Sequence, residues 1–294
     1  MITTEFDFLR DFLKQRSGLV LSNEKQYLVE SRLIPVTRRH NLASLSALVQ
    51  AIRKPGSTAL QEEVVEAMTT NESFFFRDKT PFDHFKGLML PNLMEARASR
   101  RKMRIWCAAA STGQEPYSLA MVLKEMRAKV GSFGFEILGT DISNEVLDKA
   151  KAGTYSQFEV QRGLPIQMLV KYFAQEGELW QISSEIRSMV QWRKLNLLQS
   201  FSQLGEFDII FCRNVLIYFD QETKKDVLHR IAKQMPKDGY LVLGAAETVV
   251  GLTDAFEPVP EHRGLYRPKQ QSADAATVRK LGSAFPKLSA LTSP

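Results

Sequence analysis

The chain is poor in the residues that carry the common thiol and metal chemistries. Its 294 residues include two cysteines and four histidines. Cys107 and Cys212 both lie inside apolar runs, which excludes a disulfide framework and predicts buried free thiols in a reducing compartment. His40, His84, His229 and His262 are scattered, so neither a zinc site nor any other metal site is expected. No apolar run approaches the ~20 residues that span a bilayer, which excludes an ordinary transmembrane helix. The opening "MITTEFDFLRDFLK" mixes acids with apolar side chains and does not read as a signal peptide, so a cytoplasmic location is the expectation. A G-x-G-x-x-G phosphate loop is missing as well, which tells against a dinucleotide ligand.

Positive charge is in excess. The formal net charge is +6 and the pI is near 9.2. From Arg10 to Lys54 nine Lys and Arg stand against Asp11, Glu24 and Glu30, so the basic patch belongs to the N-terminal region. Such a patch points to an acidic partner without naming it.

The first ~70 residues read as helices. Phe6, Leu9 and Leu13 repeat at helical spacing, as do Val29, Leu33 and Val36, and then Leu45, Leu48, Val49 and Ile52. Pro35 is expected to kink or restart the second helix. Thr58 with Gln61 resembles a capping box that opens a fourth helix, with Leu60, Val64, Ala67 and Met68 on its inner face. A small helical bundle follows.

After the basic connector "EARASRRKMR" the pattern changes. "RIWCAA", "FEILGT", "FDIIFC" and "GYLVLG" alternate with helical segments at 116–129, 144–150 and 221–235, which means βαβ units and a parallel sheet. "ELWQIS" and "SMVQWRKLNL", after a helix at 165–173, read as an inserted antiparallel subdomain. From Lys269 onward the chain is polar and rich in small residues, so a disordered tail is expected.

Open α/β sheets bind ligands at the C-terminal ends of their strands. Three segments fall there: Ala108–Glu115, Asp141 at the end of "LGTD", and Ile209–Phe219. Asp141 reads either as an acid for both hydroxyls of a ribose or as a cap for the helix at Asn144. Glu115 reads either as a ligand acid or as a first-turn acid on the helix dipole. An acid among small residues disfavours a phosphate and favours a cationic group. A ligand with an adenosine, an amino-acid end and no phosphate fits that description, and S-adenosylmethionine is such a ligand.

Five motifs, in order, resemble the chemotaxis receptor glutamate methyltransferase family (CheR): "TTNESFFFRD", "AAASTGQEPYSLA", "GTDISNEVLDKAKAGTY", "NLL" and "FDIIFCRNVLIYF". The resemblance runs from Asp7 to about Pro268. It implies an all-α N-terminal domain for receptor recognition (1–75), a helical connector (76–102) and a Rossmann-like class I methyltransferase domain (103–268). The implied antiparallel β-subdomain lies at about 176–195, and the tail at 269–294. S-adenosylmethionine is then the methyl donor and S-adenosylhomocysteine the product.

Carried onto this sequence, the resemblance implies cofactor contacts from Asn71, Ser73, Arg77, Glu115, Asp141, Asn196, Leu197, Arg213 and Asn214. Ser73 stands where other members often have Thr, and Gln114 where many have Glu. Tyr218 is the implied substrate-facing residue, positioning the carboxylate or lining the methyl, with a core tyrosine as the alternative. Arg77 is implied at either the cofactor carboxylate or the substrate glutamate. Lys25, Arg32 and Arg39, seven residues apart, fall within ~40° on one helix face if Pro35 leaves it intact. With Arg38 they are implied to meet the Glu- and Gln-rich cytoplasmic helical bundle of a chemoreceptor; a solvated face is the alternative.

No catalytic triad is needed for this reaction. A glutamate side chain, with pKa near ~4.3, is already ionised at neutral pH and can attack a sulfonium methyl directly. A nucleic-acid methyltransferase is disfavoured, because "RNVLIYF" has no proline where an Asn/Asp-Pro-Pro-aromatic turn would stand. A binding module without turnover is disfavoured by the full set of site residues. Some family members dock a receptor C-terminal pentapeptide on the β-subdomain edge. The short loop in "YFAQEGELWQIS" speaks against tight tethering here. A monomer without membrane insertion or nucleic-acid partner is expected.

Overall fold

The structure is a computed structural model and describes residues 3–269. Four helices open it: α1 (Thr3–Ser17), α2 (Gln26–Arg39), α3 (Leu45–Arg53) and α4 (Thr58–Met68). Each turns one apolar stripe inward. Leu9, Leu13, Val29, Leu33, Val36, Leu48, Ile52, Val64 and Met68 make one dry cluster.

Two local expectations change. Helix α2 runs unbroken through Pro35. Proline removes one ladder hydrogen bond, but Pro35 is exposed, so the carbonyl released on that face can be met by water. The N-cap of α4 is Ser57 and not Thr58; Gln61 reaches back to the Ser57 Oγ (3.1 Å) and the Ile52 carbonyl (2.7 Å).

A connector of α5 (Thr80–His84), a π-turn (Phe85–Met89) and α6 (Leu90–Ala96) sends Phe82, Phe85, Met89 and Leu93 into the next core. Ten strands follow: β1 (Lys102–Ala108), β2 (Gly134–Asp141), β3 (Thr154–Ser156), β4 (Phe173–Glu176), β5 (Leu179–Ile182), β6 (Val190–Lys194), β7 (Ile209–Cys212), β8 (Tyr240–Leu243), β9 (Phe256–Pro258) and β10 (Leu265–Pro268). The main sheet has the order β6-β2-β1-β7-β8-β10-β9. Its first five strands are mutually parallel, β10 pairs antiparallel with β8, and β9 pairs antiparallel with β10. The period of two sends Ile105, Cys107, Ile137 and Phe211 into one face and Trp106, Ala108, Leu138, Ile210 and Cys212 into the other. Burial on both faces explains why these strands read as continuous apolar runs.

The inserted antiparallel sheet exists, but its bounds differ from expectation. It is β3-β5-β4, spanning 154–182, with a two-residue turn at Gly177 and Glu178 between β4 and β5. The segment "SMVQWRKLNL" supplies β6 instead, paired parallel with β2 from Ile137↔Val190 to Asp141↔Lys194. Val190 and Trp192 turn to one side, where Trp192 meets Tyr117 edge-on at 5.5 Å. Alternation shows that a strand exists; the partner sheet is decided by this packing. Residues 270–294 of the expected tail lie outside the described residues.

Candidate active site

A cleft of about 1010 Å³, its open mouth included, lies over the C-terminal ends of β1, β2 and β7, under the helical domain. Asn71, Ser73, Arg77, Glu115, Asp141, Asn196, Leu197, Arg213, Asn214 and Tyr218 all line it. These residues span well over a hundred positions of sequence, and the sheet brings them to one wall.

The first loop leaves β1 in a sharp turn. Ala109 (φ 58°) and Ser111 (φ 51°) are both left-handed, a conformation that costs L residues energy and is kept only where neighbours enforce it. The neighbours are visible. The Ala110 amide donates to the Thr140 carbonyl (2.8 Å), and the Ser111 Oγ donates to the Asn71 carbonyl (2.9 Å). Helix α7 (Gln114–Glu125) then starts with Glu115 in its first turn.

Asp141 is buried at the tip of β2. Its Oδ2 accepts from the Ser111 amide (2.9 Å) and its Oδ1 from the Ser143 amide (3.1 Å). Burial pushes its carboxyl above the usual range, against the backbone amides of Ser143, Ser111 and Ile142, which favour the ionised form. The cap of the helix Asn144–Ala152 is Ser143, whose Oγ accepts from the Val146 amide. Asp141 is therefore held in the cleft wall and is not the capping residue. Glu66 of α4 closes the same turn, accepting from the Asn144 amide (3.0 Å) and the Ser143 hydroxyl (3.2 Å).

Arg213, after β7, forms an internal hub. Its side chain is 2% exposed and bridges Glu115 (2.7 Å) and Asp78 (2.7 Å), with a third bond to the Arg77 carbonyl (3.0 Å). A buried guanidinium between two carboxylates fixes the connector against the strand ends. Glu115 thus spends one oxygen on Arg213. Arg77 keeps donors in hand beyond its bond to the Glu72 carbonyl (3.0 Å). Tyr218 is half-buried, and its hydroxyl makes no hydrogen bond among the described residues.

Asn196 lines the cleft, but its side chain is already committed. Nδ2 donates to the Arg16 carbonyl (2.6 Å), and Oδ1 accepts from the Leu198 amide (3.0 Å). Its backbone remains for a ligand. Ser17, Leu19, Thr69, Thr70, Ile142, Leu195 and Val215 also line the cleft, and neither the residue types nor the resemblance assigns them a contact. Ser17 ends α1 and Leu19 lies in the α1–α2 linker, which is tied down by the Val20 amide on the Tyr218 carbonyl (2.9 Å). No local pattern marks such residues.

Both thiols are free and buried. Burial pushes Cys107 well up, with Glu115 adding to it, and burial does the same to Cys212, beside Glu247. No group of three metal-ligating side chains exists among the described residues.

The basic face is less free than its sequence suggests. Arg32 donates to the carbonyls of Met68 (2.7 Å) and Thr69 (3.0 Å) and to the Thr70 hydroxyl (3.0 Å). Arg39 pairs with Glu63 (2.7 Å). Lys25 sits in a separate 3₁₀ turn ahead of α2. Lys25 and Arg38 are exposed and lack an ion-pair partner among the described residues, beside exposed Tyr27 and Ile34.

A switched parallel sheet, acids at the tips of β2 and α7, and no phosphate cradle define the class: an α/β methyltransferase that takes S-adenosylmethionine. The comparisons with known proteins then place it within that class. A family model described as "CheR methyltransferase, SAM binding domain" matches residues 71–265, and "CheR methyltransferase, all-alpha domain" matches residues 4–69. The chain belongs to the CheR methyltransferase family. It is 44% identical to chemotaxis protein methyltransferase 1 of Pseudomonas aeruginosa, over 90% of this chain and 98% of that protein. It is 42% identical to chemotaxis protein methyltransferase Cher2 of Pseudomonas putida, over 87% of this chain and 94% of that protein. Chemotaxis protein methyltransferase 1 of Vibrio cholerae is 42% identical, over 88% and 94%.

Proposed function

We propose that this protein is a chemotaxis protein methyltransferase that methylates glutamate side chains on the cytoplasmic helices of chemoreceptors, giving glutamate methyl esters. S-adenosylmethionine supplies an electrophilic sulfonium methyl. The observation that carries the reading is the cleft itself. It combines a fixed carboxylate, Asp141, with a tyrosine hydroxyl that makes no hydrogen bond among the described residues and the Arg77 cation on its lining, and no histidine, lysine or cysteine lines it.

That set suits a nucleophile that arrives already ionised. With S-adenosylmethionine bound there, its methyl would pass to a glutamate oxygen as the carbon–sulfur bond breaks, and two opposite charges would be neutralised. No proton moves, so alignment and exclusion of water are what the protein must supply. Asp141 receives the ribose hydroxyls, and Glu115 faces the cationic end of the amino-acid moiety. Asn71, Ser73 and Asn214 supply further polar contacts, the Asn196 backbone and Leu197 flank the adenine, and Arg213 orders the floor. Tyr218 donates its hydroxyl to the attacking carboxylate, and Arg77 draws that carboxylate in by charge.

The docking face is centred on Lys25 and Arg38, with Arg39 beside them and Arg32 behind. A receptor helix rich in acids is its complement. No helix among the described residues is long and apolar enough to cross a membrane. Tritiated methyl transfer to receptor-bearing membranes, as base-labile methanol, tests the reading. Label that enters RNA instead, or no label in protein, overturns it.

A further inference from the structure

Glu247 follows β8 in the segment Gly244-Ala245-Ala246-Glu247 and is 9% exposed. It has no cationic partner among the described residues. Four backbone amides converge on it instead. Oε2 accepts from Asn214 (2.8 Å) and Gly244 (2.7 Å), and Oε1 from Val215 (3.0 Å) and Ile217 (3.3 Å). Three of these donors belong to the loop that carries Arg213, Asn214 and Tyr218 from β7 to the cleft.

We propose that Glu247 is a positioning residue for methyl transfer: its carboxylate gathers the amides of the 214–217 loop and thereby sets the pose of Tyr218. The inference rests on the reading of Tyr218 as the group facing the attacking carboxylate. Two further observations carry it. Asn214 is held in the left-handed region (φ 58°), which an isolated loop would leave without such an anchor. The neighbouring Gly244 has no room for a side chain: a Cβ there would stand 2.8 Å from the Glu247 Oε2, 2.8 Å from the Asn214 Nδ2 and 3.0 Å from the Asn214 amide nitrogen. The two segments meet as closely as a glycine allows.

The chemistry also fits. Amide dipoles aimed at the loop interior are satisfied by an internal carboxylate, so they are not left orphaned beside an anionic substrate. Within the loop the Tyr218 turn is closed by the Tyr218 amide on the Val215 carbonyl (3.2 Å) and Phe219 on Leu216 (3.0 Å), while the Val20 amide holds the Tyr218 carbonyl from the α1–α2 linker (2.9 Å). Glu247 ties that loop to the strand bearing the next wall.

Glu247→Gln is the decisive variant, because it keeps size and halves the acceptor set: one oxygen becomes an NH₂ that opposes the pair of donors it faces. At a temperature where the variant is folded, kcat for receptor methylation is expected to fall about 10- to 100-fold. The KM for receptor is expected to move less than about fivefold, and the cofactor Kd less than kcat does, since Asp141 is held by the Ser111 and Ser143 amides, away from this loop. Tyr218→Phe added to Glu247→Gln is expected to cost little more than Glu247→Gln alone, because both act through one hydroxyl. Full kcat in the variant, or losses that multiply in the double variant, overturns the proposal.

Hydrogen exchange gives a readout that needs no receptor. The amides of Asn214, Val215 and Ile217 are expected to exchange at least about tenfold faster in Glu247→Gln. Unchanged protection there overturns the proposal as well. Should Glu247→Gln fail to fold, Glu247→Asp keeps the charge one methylene short of the amides, and the same faster exchange with lower kcat is expected. A parent protein that methylates no receptor defeats the functional reading, and the exchange result still decides whether Glu247 holds the loop.

Discussion

Asp141 shows how one side chain serves two demands that conflict. Burial raises its pKa, so ionised Asp141 is unfavourable for the ligand-free fold at neutral pH. The sign is that of a raised group. Its stabilising contribution is fully present below the unfolded value, ~3.9, and is lost as pH rises through the folded value. In the proposed pose the ribose hydroxyls donate to the ionised form, so cofactor affinity is expected to run the other way. Calorimetric titration against pH is expected to show affinity falling as pH drops through a value above ~3.9, and Asp141→Asn is expected to lack that limb. Asp141→Ala is expected to weaken S-adenosylmethionine by roughly 1.5–3 kcal/mol, ten- to hundred-fold. Unchanged affinity would remove Asp141 from the ribose. Tyr218 makes a contrasting case. On the proposed reading its glutamate substrate arrives ionised, so Tyr218→Phe is expected to lower kcat by about 10- to 100-fold while leaving the shape of the pH–rate profile above neutrality intact. A basic limb that disappears in the variant would show that the phenol transfers a proton.

Elements meet at the cleft through short, specific ties. The α1–α2 linker reaches Tyr218 through Val20, and Lys14 of α1 pairs with Asp220 (2.7 Å), the N-cap of the helix Gln221–Ala232. Between them Gly18 adopts φ 78°, and a Cβ there would sit 2.8 Å from the Phe219 ring and 3.3 Å from Leu198. Gly18→Ala combines a left-handed penalty with a clash against a buried ring. It is expected to cost about 1–3 kcal/mol in stability, read as a lower midpoint in urea, and to weaken the cofactor, since Leu19 lines the cleft. A variant as stable as the parent would mean that the linker is not seated on the Phe219 ring in solution.

In the whole molecule the helical domain is tied to the sheet domain at the cleft. Arg32 holds the last carbonyls of α4 and Thr70, one residue before Asn71, so it belongs to that coupling. Lys25 and Arg38 do not. Reversing both to Glu is expected to raise the KM for receptor and flatten its salt dependence while leaving cofactor affinity unchanged. Arg32→Glu is expected to disturb both, because it orphans carbonyls at the domain junction. Steady-state kinetics at two ionic strengths, with calorimetry on each variant, separates them. Equal effects from the two variants would mean that the face acts as a simple sum of charge.

Sequence by itself determined the elements and the residue types of the site. Helical spacing marked α1 to α4, because burying one stripe of a helix leaves a period that survives in the sequence. The runs at β1, β2, β7 and β8 were legible because strands buried on both faces are apolar throughout. Acids and polar residues at strand tips marked the cleft. Tertiary structure alone decided which sheet received Val190–Lys194, since alternation is the same for any partner. It also decided that Arg32 and Arg39 turn to their own domain, and that Asn196 spends its side chain on Arg16. Glu247 was invisible for the same reason. Its four partners are backbone amides, which every residue has, and only the approach of two loops across β7 and β8 makes them converge on one carboxylate.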